Sequence, residues 1–241
     1  MSIIAGYLGE GFSVVATDTR TTNIAVKEKF NDEAKKLNVT NFGWVAESGG
    51  VSLSTTFFNN LLNSNNIKTR KQIYTCWLMA IRETLRFSEK HLAPKLYSEV
   101  DQEVNSSQAI YSLNYFTDGA AHIEIETIDF AYGKRKALPN TLITQPPKNT
   151  KRINRVVEEC SKMPVDSIHS AIYVIACLID DIAKLTPFIN NHVDAGISFR
   201  VSESEILFMR LSENARAIKR LYKQWKNLST IMMVCGSKVM I

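Results

Sequence analysis

Apolar residues open the chain in two short runs, Ile3-Ile4-Ala5-Gly6-Tyr7 and Phe12-Ser13-Val14-Val15-Ala16, separated by Gly9-Glu10-Gly11. Strand formers around a glycine-containing turn predict a β-hairpin that ties the chain start into a sheet. Residues 21–36 are polar and turn-like. Leu37-Asn38-Val39-Thr40 and Gly43-Trp44-Val45-Ala46 then predict a second strand pair. After Gly49-Gly50, apolar positions 53, 57, 58, 61 and 62 follow helical spacing, and an Asn-rich stretch, 63–66, closes that helix. A second helix is predicted from Arg70 to His91, with Ile73, Trp77, Ala80, Ile81, Leu85 and Phe87 mostly on one face and Pro94 beyond its end.

The period then changes to two. Residues 109–116 and 122–128 alternate as strands around Asp118-Gly119, a good hairpin turn. Pro139, Pro146 and Pro147 mark a loop leading to the next helical region. Residues 164–185 predict an apolar helix burying Ile168, Ile172, Ile175, Ala176 and Ile179, stopped by Pro187. A last hairpin, 196–201 with 206–211, turns around residues 202–205. Strand and helix runs segregated in this way predict an α+β fold with antiparallel sheets covered by helices. The tail is an addition: Asn214–Trp225 reads as a basic amphipathic helix with Ile218, Leu221, Tyr222 and Trp225 on one side. Ile231–Val234 and Val239–Ile241 read as short strands.

A chain of 241 residues with 45% hydrophobic and 22% charged residues reads as one globular domain, 1–241. Residues 213–241 form a possible interface element of that domain. The net charge of +5 is spread thinly. Lys134-Arg135-Lys136 is the densest cluster and reads as the cap of a hairpin loop. Without a basic stripe interleaved with aromatics, no nucleic-acid partner is expected. Cys76, Cys160, Cys177 and Cys235 lack metal-type spacing, and three of them sit in apolar stretches, as in a reducing compartment. No metal or cofactor is expected. The chain shows no signal peptide and no run of membrane-spanning length, so the expectation is a cytoplasmic protein with no membrane partner.

The candidate chemistry lies in the first fifty residues. Loss of Met1 would leave Ser2 with a free amine at a strand end, and Asp18 would sit on the neighbouring strand. Ser2, Gly6, Asp18-Thr19-Arg20, then Lys35-Lys36 before a strand and Ser48-Gly49-Gly50 after it resemble, in that order, the proteasome β-subunit family of N-terminal-nucleophile (Ntn) hydrolases. The resemblance implies a four-layer αββα sandwich in which Ser2 is the nucleophile and its own α-amine the base. It also implies that Lys36 stabilises anionic forms, that Asp18 holds the lysine, and that the Gly49 N–H donates to the oxyanion. Lys36 is preferred because it directly precedes the strand. Lys35 remains open as the alternative to Lys36, and Gly50 as the alternative to Gly49. The implied partners are a peptide or amide substrate and further copies of the chain in a homo-oligomeric ring, for which the Trp225 face offers apolar surface.

The chain also departs from the family pattern. Lys136–Thr141 lacks the Ser-Gly-Ser-like turn, and Asn190–Gly196 replaces an Asp, Ser and paired-glycine arrangement, with His192 as a candidate substitute base. These departures support an alternative, a catalytically silent subunit that serves as scaffold. Each motif also has a structural reading of its own: Asp18 and Arg20 as a strand-end pair, Lys35-Lys36 as a solvated turn, Gly49-Gly50 as a helix entry. A fold unrelated to this family is the third possibility.

Overall fold

The computed structural model describes residues 2–22, 30–48, 52–65, 67, 69–129, 133–145 and 150–234. The opening hairpin forms as the sequence predicts. Strand β1 (Ile4–Gly9) pairs antiparallel with β2 (Phe12–Asp18), Ile4 opposite Thr17 and Gly9 opposite Phe12. Gly11 turns the chain at φ +74°, a left-handed conformation that glycine adopts without a steric cost. The pair lies inside a five-stranded antiparallel sheet in the order β10-β1-β2-β11-β12, completed by β10 (Thr141–Gln145), β11 (His192–Ser202) and β12 (Glu205–Asn214). A second antiparallel sheet runs β5 (Leu37–Val39), β6 (Trp44–Ser48), β7 (Gln108–Thr117), β8 (Ala120–Asp129) and β9 (Gly133–Lys136). A two-stranded ribbon, β3 (Thr21–Thr22) with β4 (Phe30–Asn31), sits beside them.

The sheets pack face to face on Ile4, Val15, Leu37, Trp44, Ala46, Ile110 and Ile125. The sheets approach closely at Gly196 of β11, where a Cβ would stand 2.1 Å from the Trp44 ring. The indole N–H of Trp44 donates to the Ile197 carbonyl at 3.1 Å and fixes the spacing of the layers. Helices cover both outer faces. The first layer is α1 (Ser52–Ser64), α2 (Arg70–His91) and α3 (Pro94–Asn105) on the second sheet. The other is α4 (Lys151–Ser161), α5 (Ile168–Ala183) and α6 (Ala215–Val234) on the first. The α+β class and the four-layer αββα sandwich are therefore as expected, with six helices among the described residues.

Four local expectations are corrected. Pro94 begins a helix instead of merely following one, because at the first helical position it gives up no intrahelical hydrogen bond. Lys134–Lys136 belongs to β9, paired with β8, and is not a loop cap. Residues 231–234 continue α6 and do not form a strand, a short apolar run being readable either way from its period. Ala215 and Ile218 enter the core, Tyr222 stacks on Tyr173 at 4.3 Å and Trp225 stacks on His169 at 5.1 Å. The tail helix is thus docked on α5 as part of the domain and is not an appendage, while Leu221 and Trp225 on the same side stay 58% and 41% exposed. Val239–Ile241, expected as a strand, lies outside the described residues.

Candidate active site

The strand register brings Lys36 and the backbone next to Ser2 to one carboxylate, that of Asp18. Ile3, one residue after Ser2, donates its backbone N–H to Asp18 Oδ1 at 3.1 Å. Its carbonyl accepts from Thr17 Oγ1 at 3.0 Å and from the Asp18 N–H at 3.4 Å. Lys36, entering β5 from the facing sheet, donates from Nζ to the same Asp18 Oδ1 at 2.9 Å. The Arg20 N–H occupies Oδ2 at 3.0 Å. Asp18 is completely buried, and Lys36 and Ser2 are 6% and 8% exposed. Lys35, next in the chain, is exposed, so the geometry joins Lys36 to Asp18. Gly49 and Gly50 lie outside the described residues.

Burial pushes the Asp18 carboxyl above its ordinary value, against the pull of the Lys36 ammonium and the donors around it. Burial likewise pulls Lys36 below the usual lysine range, against the attraction of Asp18. The lysine is thus held by the same carboxylate oxygen that accepts from the backbone next to Ser2.

Arg20, at the end of the Asp-x-Arg triplet, builds the wall that holds this pair. Its guanidinium grips Asp32 through both carboxylate oxygens, at 2.5 and 2.8 Å, and donates to the Pro187 carbonyl at 2.7 Å. It also lies 4.8 Å over the Phe30 ring. The hydrogen bond from Arg20 holds the Asp32 carboxyl below the usual carboxylate range. The arginine thereby anchors the segment that leads from β4 into Lys36. Asn190 closes the other side, accepting from the Thr19 N–H at 3.2 Å and donating to Thr19 Oγ1 at 2.8 Å. Sequence reading notes Asn190 only as a departure from a pattern; an amide facing both polar atoms of a strand-end threonine leaves no periodic signal.

His192 does not reach the pair. Its Nε2 lies 3.0 Å from Ser212 Oγ. A cavity of about 810 Å³ opens beside it, lined by Thr19, Lys35, Asn190, His192, Asp194 and Arg210 among others. Asp194 and Arg210 close a two-point ion pair there, at 2.8 and 2.6 Å. Ser2, Asp18 and Lys36 do not line that cavity, so its size says nothing about their chemistry.

One further buried carboxyl adjoins the pair. Glu47 of β6 donates its backbone N–H to the Lys36 carbonyl at 3.4 Å. Its side chain is buried beside Thr55, and burial pushes its carboxyl from 4.5 up to about 8. The folded state therefore keeps a proton that the unfolded chain releases. The stability this gives is complete below about pH 4.5 and is lost as pH rises through about 8, at a limiting slope of about 1.4 kcal/mol per pH unit. The Glu47→Gln variant is expected to lose this fall, and to be the more stable protein at pH 9 by a few kcal/mol (~2–4). Chemical denaturation of both proteins from pH 5 to 9 reads the difference; parallel profiles would contradict it.

No family model and no curated protein sequence matches the chain. Solved structures do match. An Anbu (Gly-1) mutant from Hyphomicrobium sp. strain MC1 is 11% identical, with a TM-score of 0.64 over all of both chains. Anbu, described as an ancestral beta-subunit, from Yersinia bercovieri is 12% identical, with a TM-score of 0.61 over 99% of each chain. The helical assembly of the Anbu complex from Pseudomonas aeruginosa is 13% identical, with a TM-score of 0.64 over 99% of this chain and 98% of that one. The resemblance to proteasome β-subunits is thereby corrected: these matches are to Anbu proteins, a distinct proteasome-like family. The order of motifs in the first fifty residues belongs to the fold and does not separate the families that share it. What the likeness shows for this chain is the proteasome-like, Ntn-hydrolase fold.

Proposed function

We propose that the chain is an N-terminal-nucleophile hydrolase of peptide or amide bonds, with Ser2 as nucleophile once Met1 is removed. The single observation that carries this reading is the shared oxygen of Asp18, which accepts from both the Ile3 N–H and Lys36 Nζ. That oxygen holds the backbone next to the nucleophile and a buried ammonium on one carboxylate. The α-amine of Ser2 would take the hydroxyl proton as Oγ attacks the substrate carbonyl. Lys36 would offset the developing negative charge and Asp18 would hold Lys36 in place. The amine of the departing product would receive the proton, and water would then hydrolyse the ester on Ser2. Gly49 is the proposed oxyanion donor. The reading is tested by turnover of fluorogenic peptides by protein whose intact mass shows loss of Met1. No turnover by fully processed protein would count against it.

The substrate reaches such a site only through an opening, and Ser2 and Lys36 are both less than a tenth exposed. That observation favours a second reading, a catalytically silent scaffold with the same fold. A scaffold would retain Met1 or carry an acetylated terminus.

The Anbu complex from Pseudomonas aeruginosa forms a helical assembly. With that likeness in support, we also propose that this chain works as a homo-oligomer of more than two subunits. Multi-angle light scattering of the full chain is expected to give a mass several times that of one subunit. A monomer would remove this proposal. A chain cut after Glu213 cannot serve as a control, because Ala215 and Ile218 belong to the core.

A further inference from the structure

The outer edge of the first sheet carries an apolar surface that no other described residue covers. Strand β12 stands last in the order β10-β1-β2-β11-β12, so one side of its backbone has no ladder partner among the described residues. Its middle reads Ile206-Leu207-Phe208-Met209, with Leu207 and Phe208 each 43% exposed and Met209 53%. The strand is apolar on both faces. Leu207 and Met209 stand opposite Phe199 and Ile197, which pack toward the helices. Phe208 stands opposite Ser198, whose hydroxyl accepts from Asn114 Nδ2 of the facing sheet at 3.1 Å.

Folded proteins guard exposed sheet edges with lysine, proline, bulges or very short strands. Strand β12 uses none of these. It runs from Glu205 to Asn214 without lysine or proline, and its register with β11 shifts only at the turn, between Arg200 and Ser202. Arg210 is no guard either, because Asp194 on β11 takes its guanidinium at two points, 2.8 and 2.6 Å. A long, unguarded apolar edge of this kind marks a contact with another chain.

We propose that β12 pairs antiparallel with β12 of a second copy about a two-fold axis at Phe208, joining the two first sheets into one. A two-fold axis perpendicular to the sheet keeps every side chain on its own face, so only residues an even number apart can meet. Centred on Phe208, the pairing sets the two Phe208 rings side by side, Leu207 against Met209, and Ile206 against the aliphatic stem of Arg210. Glu205 then faces Leu211. Charge selects this register. Moving the centre to Met209 would set Glu205 opposite Glu213 twice, and like charges directly opposite are destabilising. Moving it to Leu207 would shorten the strand overlap from Glu205–Leu211 to Glu205–Met209. A second copy thus matches both apolar faces of the edge and brings no opposed charge. The contact needs neither the nucleophile nor the larger assembly proposed above.

Cross-linking at the axis tests this directly, because a residue on a two-fold axis meets its own copy. The Phe208→Cys variant, oxidised with copper phenanthroline, is expected to run as a disulfide-linked dimer on a non-reducing gel. Wild type should not, and neither should Phe87→Cys, a control at an exposed position on α2. Phe208→Glu sets two carboxylates together at the axis, and light scattering should then read half the wild-type mass or less. Thermal melts establish that each variant folds. A monomeric wild type, a mass that Phe208→Glu leaves unchanged, or a Phe87→Cys protein that links as readily as Phe208→Cys would overturn the proposal. An assembly of several subunits that survives Phe208→Glu would remove this contact and keep the larger assembly. A plain dimer that Phe208→Glu splits would keep this contact and remove the larger assembly.

Discussion

Replacing Ser2 with alanine is expected to lower amide turnover by about 10³-fold or more while leaving the thermal midpoint within a degree or two of wild type. The hydroxyl is one small group at a strand end, and the contacts that hold the terminus belong to its neighbour. Ile3 donates to Asp18 and accepts from Thr17, and neither bond uses the Ser2 side chain. Chemistry and stability are therefore separable at this position. Fluorogenic turnover and a melt on the same preparation measure both. Undiminished turnover by the Ser2→Ala variant would remove the assignment, whatever the melt shows.

Breaking the Asp18–Lys36 pair is expected to cost stability as well as activity, from either side. Read as a solvated turn, Lys35-Lys36 would contribute little to stability. The structure changes the balance, because Lys36 is 6% exposed and its ammonium is 2.9 Å from a completely buried carboxylate. Removing one partner of such a pair leaves the other charged and desolvated, at a cost of about 3–5 kcal/mol. Lys36→Ala leaves Asp18 with only the two backbone donors from Ile3 and Arg20. Asp18→Asn keeps the volume but removes the countercharge of Lys36. Both variants should lose turnover and unfold at clearly lower denaturant. Lys35→Ala, at an exposed position, should change stability by less than about 0.5 kcal/mol. A Lys36→Ala protein as stable and active as wild type, with Lys35→Ala crippled, would contradict the geometry at its centre.

The sandwich was legible in the sequence because its strands and long helices carry undiluted periods. The opening hairpin has Gly11 where φ is positive. The central hairpin turns at Asp118 and Gly119, both left-handed, as an Asp-Gly pair favours. Helix α2 starts at Arg70 after a Thr69–Gln72 capping box and runs to His91 as its apolar spacing predicts. Helix α3 escaped because Pro94 reads as a stop when it follows a helix and as a start only when its own first turn is seen. The end of α6 escaped because four consecutive apolar residues have no period of their own.

The site was legible as an order of residue types along the chain and not as a set of contacts. Asp18, Lys36 and Ser2 could be named as candidates because their order along the opening strands resembles that of a known family. The clamp of Arg20 on Asp32 and Pro187, and of Asn190 on Thr19, could not be named. These pairs join segments far apart in the chain, up to 171 residues for Thr19 and Asn190, and depend on where loops come to rest. The family was over-read for a related reason. A hairpin, an Asp-x-Arg, a lysine and a glycine pair are what the shared fold needs at that corner, whichever of its families a chain comes from.

The most direct measurement is covalent capture of the nucleophile. Protein purified from its own host would be treated with an N-acyl β-lactone, which acylates an activated hydroxyl, and then mapped by intact mass and tandem mass spectrometry. The predicted result is a chain without Met1 carrying one adduct, on Ser2, with labelling lost in the Lys36→Ala variant. A retained or acetylated terminus, or an adduct that falls on other hydroxyls as readily as on Ser2, would contradict the N-terminal serine as the reacting group.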